Sequence, residues 1–147
     1  RNQTKTCKIM KKLIIILGLL VAGKIACAQE TVSITLEVEG ILNSKGEMIV
    51  SVFDSKASYL KQAVKALKVD LANHEGNTFV IEGLEKGEYA ISVLHDENGN
   101  GELDFGGMGP VEGYGFSNNP NAAFGPAEYS AAKLNIESDA VLTIKLN

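Results

Sequence analysis

Residues 31–39 read Thr-Val-Ser-Ile-Thr-Leu-Glu-Val-Glu. Val32, Ile34, Leu36 and Val38 fall on one side of an extended chain, and Thr, Ser and Glu on the other. That period of two predicts a strand with one face on a core and one on water. Gly40 and the run Asn43-Ser44-Lys45-Gly46 predict the turn that ends it. Glu47–Phe53, carrying Met48, Ile49, Val50 and Val52, predicts a second strand. Residues 55–62 predict a short helical turn. A longer helix over 56–68 competes, because Leu60, Ala63, Val64 and Leu67 also fit helical spacing. The short turn followed by a third strand is preferred, since Leu67, Val69 and Leu71 alternate with Lys68 and Asp70. Asn73-His74-Glu75-Gly76-Asn77 then predicts a hairpin loop, and residues 78–81 a fourth strand.

Further along, Leu84-Glu85-Lys86-Gly87-Glu88-Tyr89 precedes another alternating run. Leu-x-x-Gly-x-Tyr at a strand start is the pattern of a tyrosine corner, in which the phenol bonds back to an upstream backbone group. Residues 141–146 alternate again and predict the last strand. About seven short strands with little helix predict an all-β fold. The expected form is an immunoglobulin-like or transthyretin-like antiparallel β-sandwich with a long Gly-rich loop insertion.

The 147 residues are 45% hydrophobic and 22% charged, which excludes a disordered tail, a collagen-like repeat and a multi-span membrane protein. The absence of Trp and 6% aromatic content argue against a large aromatic ligand platform. Charge is unevenly placed. Residues 1–28 hold Arg1, Lys5, Lys8, Lys11, Lys12 and Lys24 and no acid, whereas residues 29–147 hold 18 acids against 8 bases, a balance of −10. Such a surface repels nucleic acid and favours cations. Met10-Lys11-Lys12, the apolar run 13–23 and Ala26-Cys27-Ala28 together predict a secretory signal, cleaved near Ala28-Gln29. Met10 is then the expected start. The apolar run is shorter than the roughly 20 residues a span needs, so no transmembrane span is expected in the mature protein. Lys24 stands where a lipobox carries Leu, which argues against acylation at Cys27. Both cysteines, Cys7 and Cys27, lie in this leader, so the domain 29–147 is expected outside the cytoplasm, periplasmic or secreted, without a disulfide.

Residues 96–130 break the strand pattern. They hold eight of the 15 glycines and all three prolines. A loop this long is functional or disordered in most compact domains, and Phe105, Tyr114, Phe116, Phe124 and Tyr129 argue for an ordered cap. The stretch opens with His95-Asp96-Glu97-Asn98-Gly99-Asn100-Gly101-Glu102-Leu103-Asp104. Oxygen-bearing side chains at Asp96, Asn98 and Asn100, then Gly101, then Asp104, match positions 1, 3, 5, 6 and 9 of an EF-hand-type calcium loop. Alternate side chains of a tightly turned loop converge on one point, and the glycine bend lets the Glu102 carbonyl join them. Position 12 is Gly107, so the bidentate Glu is missing. Glu112 is the candidate to complete the shell, with water as the alternative. An Asn/Gly-rich turn without an ion is the competing reading.

His95 is a second candidate, as a base or a metal ligand. With no cysteine in the domain and only His74 besides, a zinc site is disfavoured, and a hydrogen bond within the loop is expected instead. The glycines of 109–115 allow close backbone approach to the loop or to a ligand, at which Tyr114, Ser117 and Asn118 would be presented. Gly115-Phe116-Ser117-Asn118-Asn119 is not a nucleophile elbow.

Gly87-x-Tyr89-Ala90, His95-Asp96-x-Asn98-x-Asn100-Gly101-x-Leu103-Asp104, Pro110-x-Glu112-Gly113-Tyr114-Gly115-Phe116-Ser117-Asn118 and Phe124-Gly125-Pro126 together resemble the bacterial family called domain of unknown function 2141. The resemblance covers most of the chain after the leader. It implies a small exported β-sandwich and brings no activity, substrate or catalytic residue. The leading expectation is a non-enzymatic binding or structural module with a calcium-folded loop, facing a cell-envelope glycan or protein. The alternative is an envelope hydrolase using His95, Asp96 and Glu112.

Overall fold

The structure, a computed structural model, describes residues 30–122 and 125–147. The expected signal segment, with Met10, Cys7 and Cys27, and Phe124 lie outside the described residues. Ten strands run along the described chain: β1 (Thr31–Glu39), β2 (Glu47–Phe53), β3 (Lys65–Asp70), β4 (Thr78–Glu85), β5 (Gly87–Asp96), β6 (Phe105–Gly106), β7 (Gly109–Pro110), β8 (Tyr114–Phe116), β9 (Leu134–Ile136) and β10 (Ala140–Lys145). One helical turn, α1 (Tyr129–Ala132), precedes β9.

The strands form two main sheets. One has the order β10-β1-β4, with β10 parallel to β1 and β4 antiparallel to it. The other has the order β3-β2-β5-β8, all antiparallel, and β9 pairs with the start of β5. β6 and β7 make a separate small hairpin. The alternating apolar residues do what their period requires. Val32, Ile34, Leu36 and Val38 from one sheet and Met48, Val50, Val52, Ile91 and Val93 from the other are buried in one cluster with Phe79, Ile81 and Ile144. Each such side chain contributes about 1.5–3 kcal/mol by leaving water. The fold is all-β and consistent with a β-sandwich.

Local detail follows the chemistry of the turns. Tyr89 donates to the Glu85 carbonyl at 2.9 Å, so the predicted corner forms where the chain passes from β4 to β5, strands of different sheets. Residues 55–62 form turns closed by Tyr59 N–H to Ser55 O and Gln62 N–H to Ser58 O. The competing helix over 56–68 is excluded, because residues 65–68 belong to β3.

Two expectations need correction. Residues 73–77 are not a hairpin loop. β3 pairs with β2 and β4 with β1, so the segment carries the chain from one sheet to the other. Its start is a 3-10 turn over Leu71–Asn73, capped by Asp70, whose carboxylate accepts from Ala72 N–H at 3.0 Å, with Leu71 buried beneath. Alternation identifies a strand but not its partner. Nor is 96–130 wholly a loop. β8 lies within it and adds an edge strand to the larger sheet, through Ser92↔Phe116 and Leu94↔Tyr114. Three residues with a Gly at the centre carry too short a pattern to recognise.

Candidate functional site

Asp96 is the last residue of β5, and its side chain is completely buried. The loop that follows folds back over it. Gly99 and Gly101 have φ of +74° and +82°, the left-handed conformation that only glycine adopts freely. These bends turn successive N–H groups towards the carboxylate. Oδ1 accepts from Gly99 N–H at 2.8 Å and Asn100 N–H at 3.2 Å, and Oδ2 from Gly101 N–H at 2.7 Å. A buried carboxylate is tolerable because such charge-assisted bonds replace its water.

A second ring of contacts surrounds this one. Asn98 Oδ1 accepts from Asn100 N–H, and Asn100 Oδ1 from Glu102 N–H. The amides of Asn98 and Asn100 both donate to Asp104, one to each oxygen. Glu112, itself buried, accepts Glu97 N–H at 2.9 Å on Oε1 and Asp104 N–H at 3.1 Å on Oε2. It thus ties the two ends of the loop together. Val111 N–H to Asp104 O at 2.9 Å holds the returning chain alongside.

All six residues of the expected ion loop therefore lie in one hydrogen-bonded unit: Asp96, Asn98, Asn100, Glu102, Asp104 and Glu112. Glu102 enters through its backbone. No group of three or more His, Cys, Asp or Glu side chains placed to hold a metal occurs among the described residues. The carboxylates are instead satisfied by backbone N–H groups and amides. No ion pair among the described residues reaches Asp96, Glu97, Glu102, Asp104 or Glu112. The loop concentrates negative charge, and the Lys68 ammonium, which faces Glu47, lies beside Gly101 without forming an ion pair with any of these carboxylates.

His95 precedes Asp96 on β5, and consecutive strand residues point to opposite sides. It is buried at the end of the inter-sheet core, where Nε2 donates to the Lys45 carbonyl at 2.9 Å. The side-chain bond expected within the loop is thus not the one formed: the partner lies in the turn between β1 and β2, brought there by the pairing of β2 with β5. With Glu97, Glu112, Leu42 and Val111, His95 lines a cleft of about 270 Å³. Asp96 does not line that cleft.

The remaining candidates have structural partners. Ser117 is buried. Its Oγ accepts from Ile91 N–H at 2.9 Å and donates to Ala132 O, tying α1 to β5. Tyr114 donates to Ala122 O at 2.8 Å. Asn118, at φ +65°, donates to the carbonyls of Ala131 and Lys133. Sequence reasoning missed its neighbour Asn119, also left-handed at φ +48°. Its amide donates to Thr143 O and accepts from Lys145 N–H, as a paired strand residue would, and so closes the free edge of β10. The Asn-Asn pair was a signal for left-handed backbone, but nothing local names β10 as its target.

No helix among the described residues is long and apolar enough to cross a membrane. No curated protein matches the chain, and neither does any solved structure. One family model does match, over residues 36–145, from the middle of β1 to the end of β10. It therefore takes in both sheets, the loop after Asp96 and the Asn118-Asn119 corner. The chain belongs to the bacterial family of unknown function described as "Uncharacterized protein conserved in bacteria (DUF2141)".

Proposed function

We propose that the protein is an exported, non-enzymatic binding or structural module of immunoglobulin-like or transthyretin-like build, whose loop 96–104 is stabilised by calcium. The observation that carries the reading is the convergence of carboxylates that enter no ion pair among the described residues. Asp96, Asp104 and Glu112 are joined through one set of hydrogen bonds and are in no ion pair among the described residues, and the loop's spacing is that of an oxygen-ligand loop. Calcium would be held by Asp96, Asn98, Asn100, the Glu102 carbonyl and Asp104. To do so, the two Asn side chains turn their oxygens inward. Glu112 or water completes the shell. The parallel closure of β1 by β10 and the Tyr89 corner support the sandwich type. An envelope glycan or protein is the proposed partner, and the leader supports a periplasmic or secreted location.

The hydrolase alternative is weaker. Both oxygens of Glu112 and Nε2 of His95 are taken by backbone groups, and Asp96 leaves the strand on the side opposite His95. The test is a thermal melt in EDTA and then in millimolar calcium. Extracellular calcium modules bind with Kd of about 0.1–1 mM, so calcium at roughly ten times Kd should add about 1.4 kcal/mol. The same melt with Asp104→Asn should show a smaller gain. No shift in either protein would leave the loop as a hydrogen-bonded turn.

A further inference from the structure

The outer face of the β3-β2-β5-β8 sheet is not flat solvent-facing surface. Three segments rise around it: residues 60–63, the loop residues Gly101 and Leu103, and Pro126. Together with Tyr114 and Phe116 of β8 they wall a concave space of about 440 Å³, within the usual range of roughly 300–1,000 Å³ for small-molecule sites. Its floor is built from β2 and β5, with Ile49, Ser51 and Phe53 from one and Ser92 and Leu94 from the other. A second apolar space of about 590 Å³, lined by Phe105 and Pro110, shares Leu103, Tyr114, Phe116 and Pro126 with the first.

The polar groups in this apolar floor are arranged. Ser51 and Ser92 are direct cross-strand partners in the β2–β5 register, so the two residues stand side by side on the floor. Both residues are half-buried, and neither hydroxyl has a hydrogen-bond partner among the described residues. Lys61 forms part of the wall and is in no ion pair among the described residues. Two hydroxyls unengaged among the described residues, set between Ile49 and Phe53 in the floor, and a wall ammonium in no ion pair among them have the chemistry of a head-group site. The apolar wall of Leu103, Tyr114 and Phe116 suits a hydrocarbon body.

We infer that this trough binds a small amphiphile, a hydrocarbon chain with a carboxylate head, the head on Ser51, Ser92 and Lys61. The site goes beyond the calcium reading and does not require an ion in the loop. A glycan is disfavoured here, because it would bring many hydroxyls to a wall that offers few polar partners.

The test is calorimetric titration of the purified protein with decanoate, and with decanol as the neutral probe of equal chain length. Saturable one-to-one binding of decanoate is expected, with decanol at least tenfold weaker. The double variant Ser51→Ala/Ser92→Ala breaks no side-chain hydrogen bond among the described residues, so it should fold as the parent does and lose about tenfold in decanoate affinity. Lys61→Gln should narrow the decanoate–decanol difference. Leu94→Trp, which fills the floor, should abolish binding with the melting temperature checked alongside. Absence of saturable decanoate binding overturns the inference. So does binding that none of the three variants alters, and so does a preference for an oligosaccharide over decanoate.

Discussion

The two faces of the larger sheet are covered in different ways. The inner face meets the β10-β1-β4 sheet through aliphatic side chains, each placed by the alternation of its own strand. The outer face carries a second cluster of Ala90, Tyr114, Phe116, Ala122, Ala127, Tyr129 and Ala132, drawn largely from short and irregular segments. No repeating pattern places these residues. They are held by polar side chains reaching distant backbone groups: Ser117 to β5 and α1, Tyr114 to Ala122, Asn119 to β10. Phe53, Tyr59 and Tyr129 extend the cluster edge-to-face at 5.4 and 5.5 Å between ring centres. The inner core is an area effect, and the outer one depends on a few directional bonds.

If that contrast is sound, damage to the inner core should be global and damage to the outer one local. Phe79→Ala removes a fully buried ring between the sheets. It should cost about 3–5 kcal/mol, with every probe of unfolding moving together in a denaturant titration. Gly115→Ala tests the contact between the two regions. A Cβ there would lie 2.6 Å from the Lys145 carbonyl and 2.8 Å from Ile144, so β8 and β10 must separate. A loss of about 1–3 kcal/mol is expected, read by thermal melting.

Ser117→Ala is the sharper probe of the outer cluster. It leaves Ile91 N–H and Ala132 O without their partner, at about 1–3 kcal/mol. Hydrogen exchange should quicken over residues 117–133 before it does in β1 and β2. Uniform quickening would mean that both clusters unfold as one unit.

The smallest effect belongs to Tyr59. Its hydroxyl is buried without a hydrogen-bond partner among the described residues, and burial, aided by the nearby Glu128, pushes the phenol up to about 12. The folded state thus favours the neutral phenol. Its contribution is complete below the ordinary value near 10 and is lost as pH rises from about 10 to 12. Tyr59→Phe removes an unsatisfied group. It should stabilise by about 1 kcal/mol near neutral pH and flatten the alkaline decline, as measured by melting between pH 8 and 12.

The sequence by itself determined the all-β class, the limits of β1 and β2, the tyrosine corner, and the six residues that meet in the loop after Asp96. Each of these is written in neighbouring residues, as alternation, as a fixed spacing or as glycines at bends. Only the tertiary structure decided that β3 and β4 belong to different sheets and that β10 runs parallel to β1. It also decided that Asn119 closes the β10 edge and that Ser51 stands beside Ser92 under a ring of apolar walls. Those facts are strand pairings and bonds between residues tens of positions apart. Several arrangements bury the same alternating faces equally well, and only the packing of the whole chain selects among them.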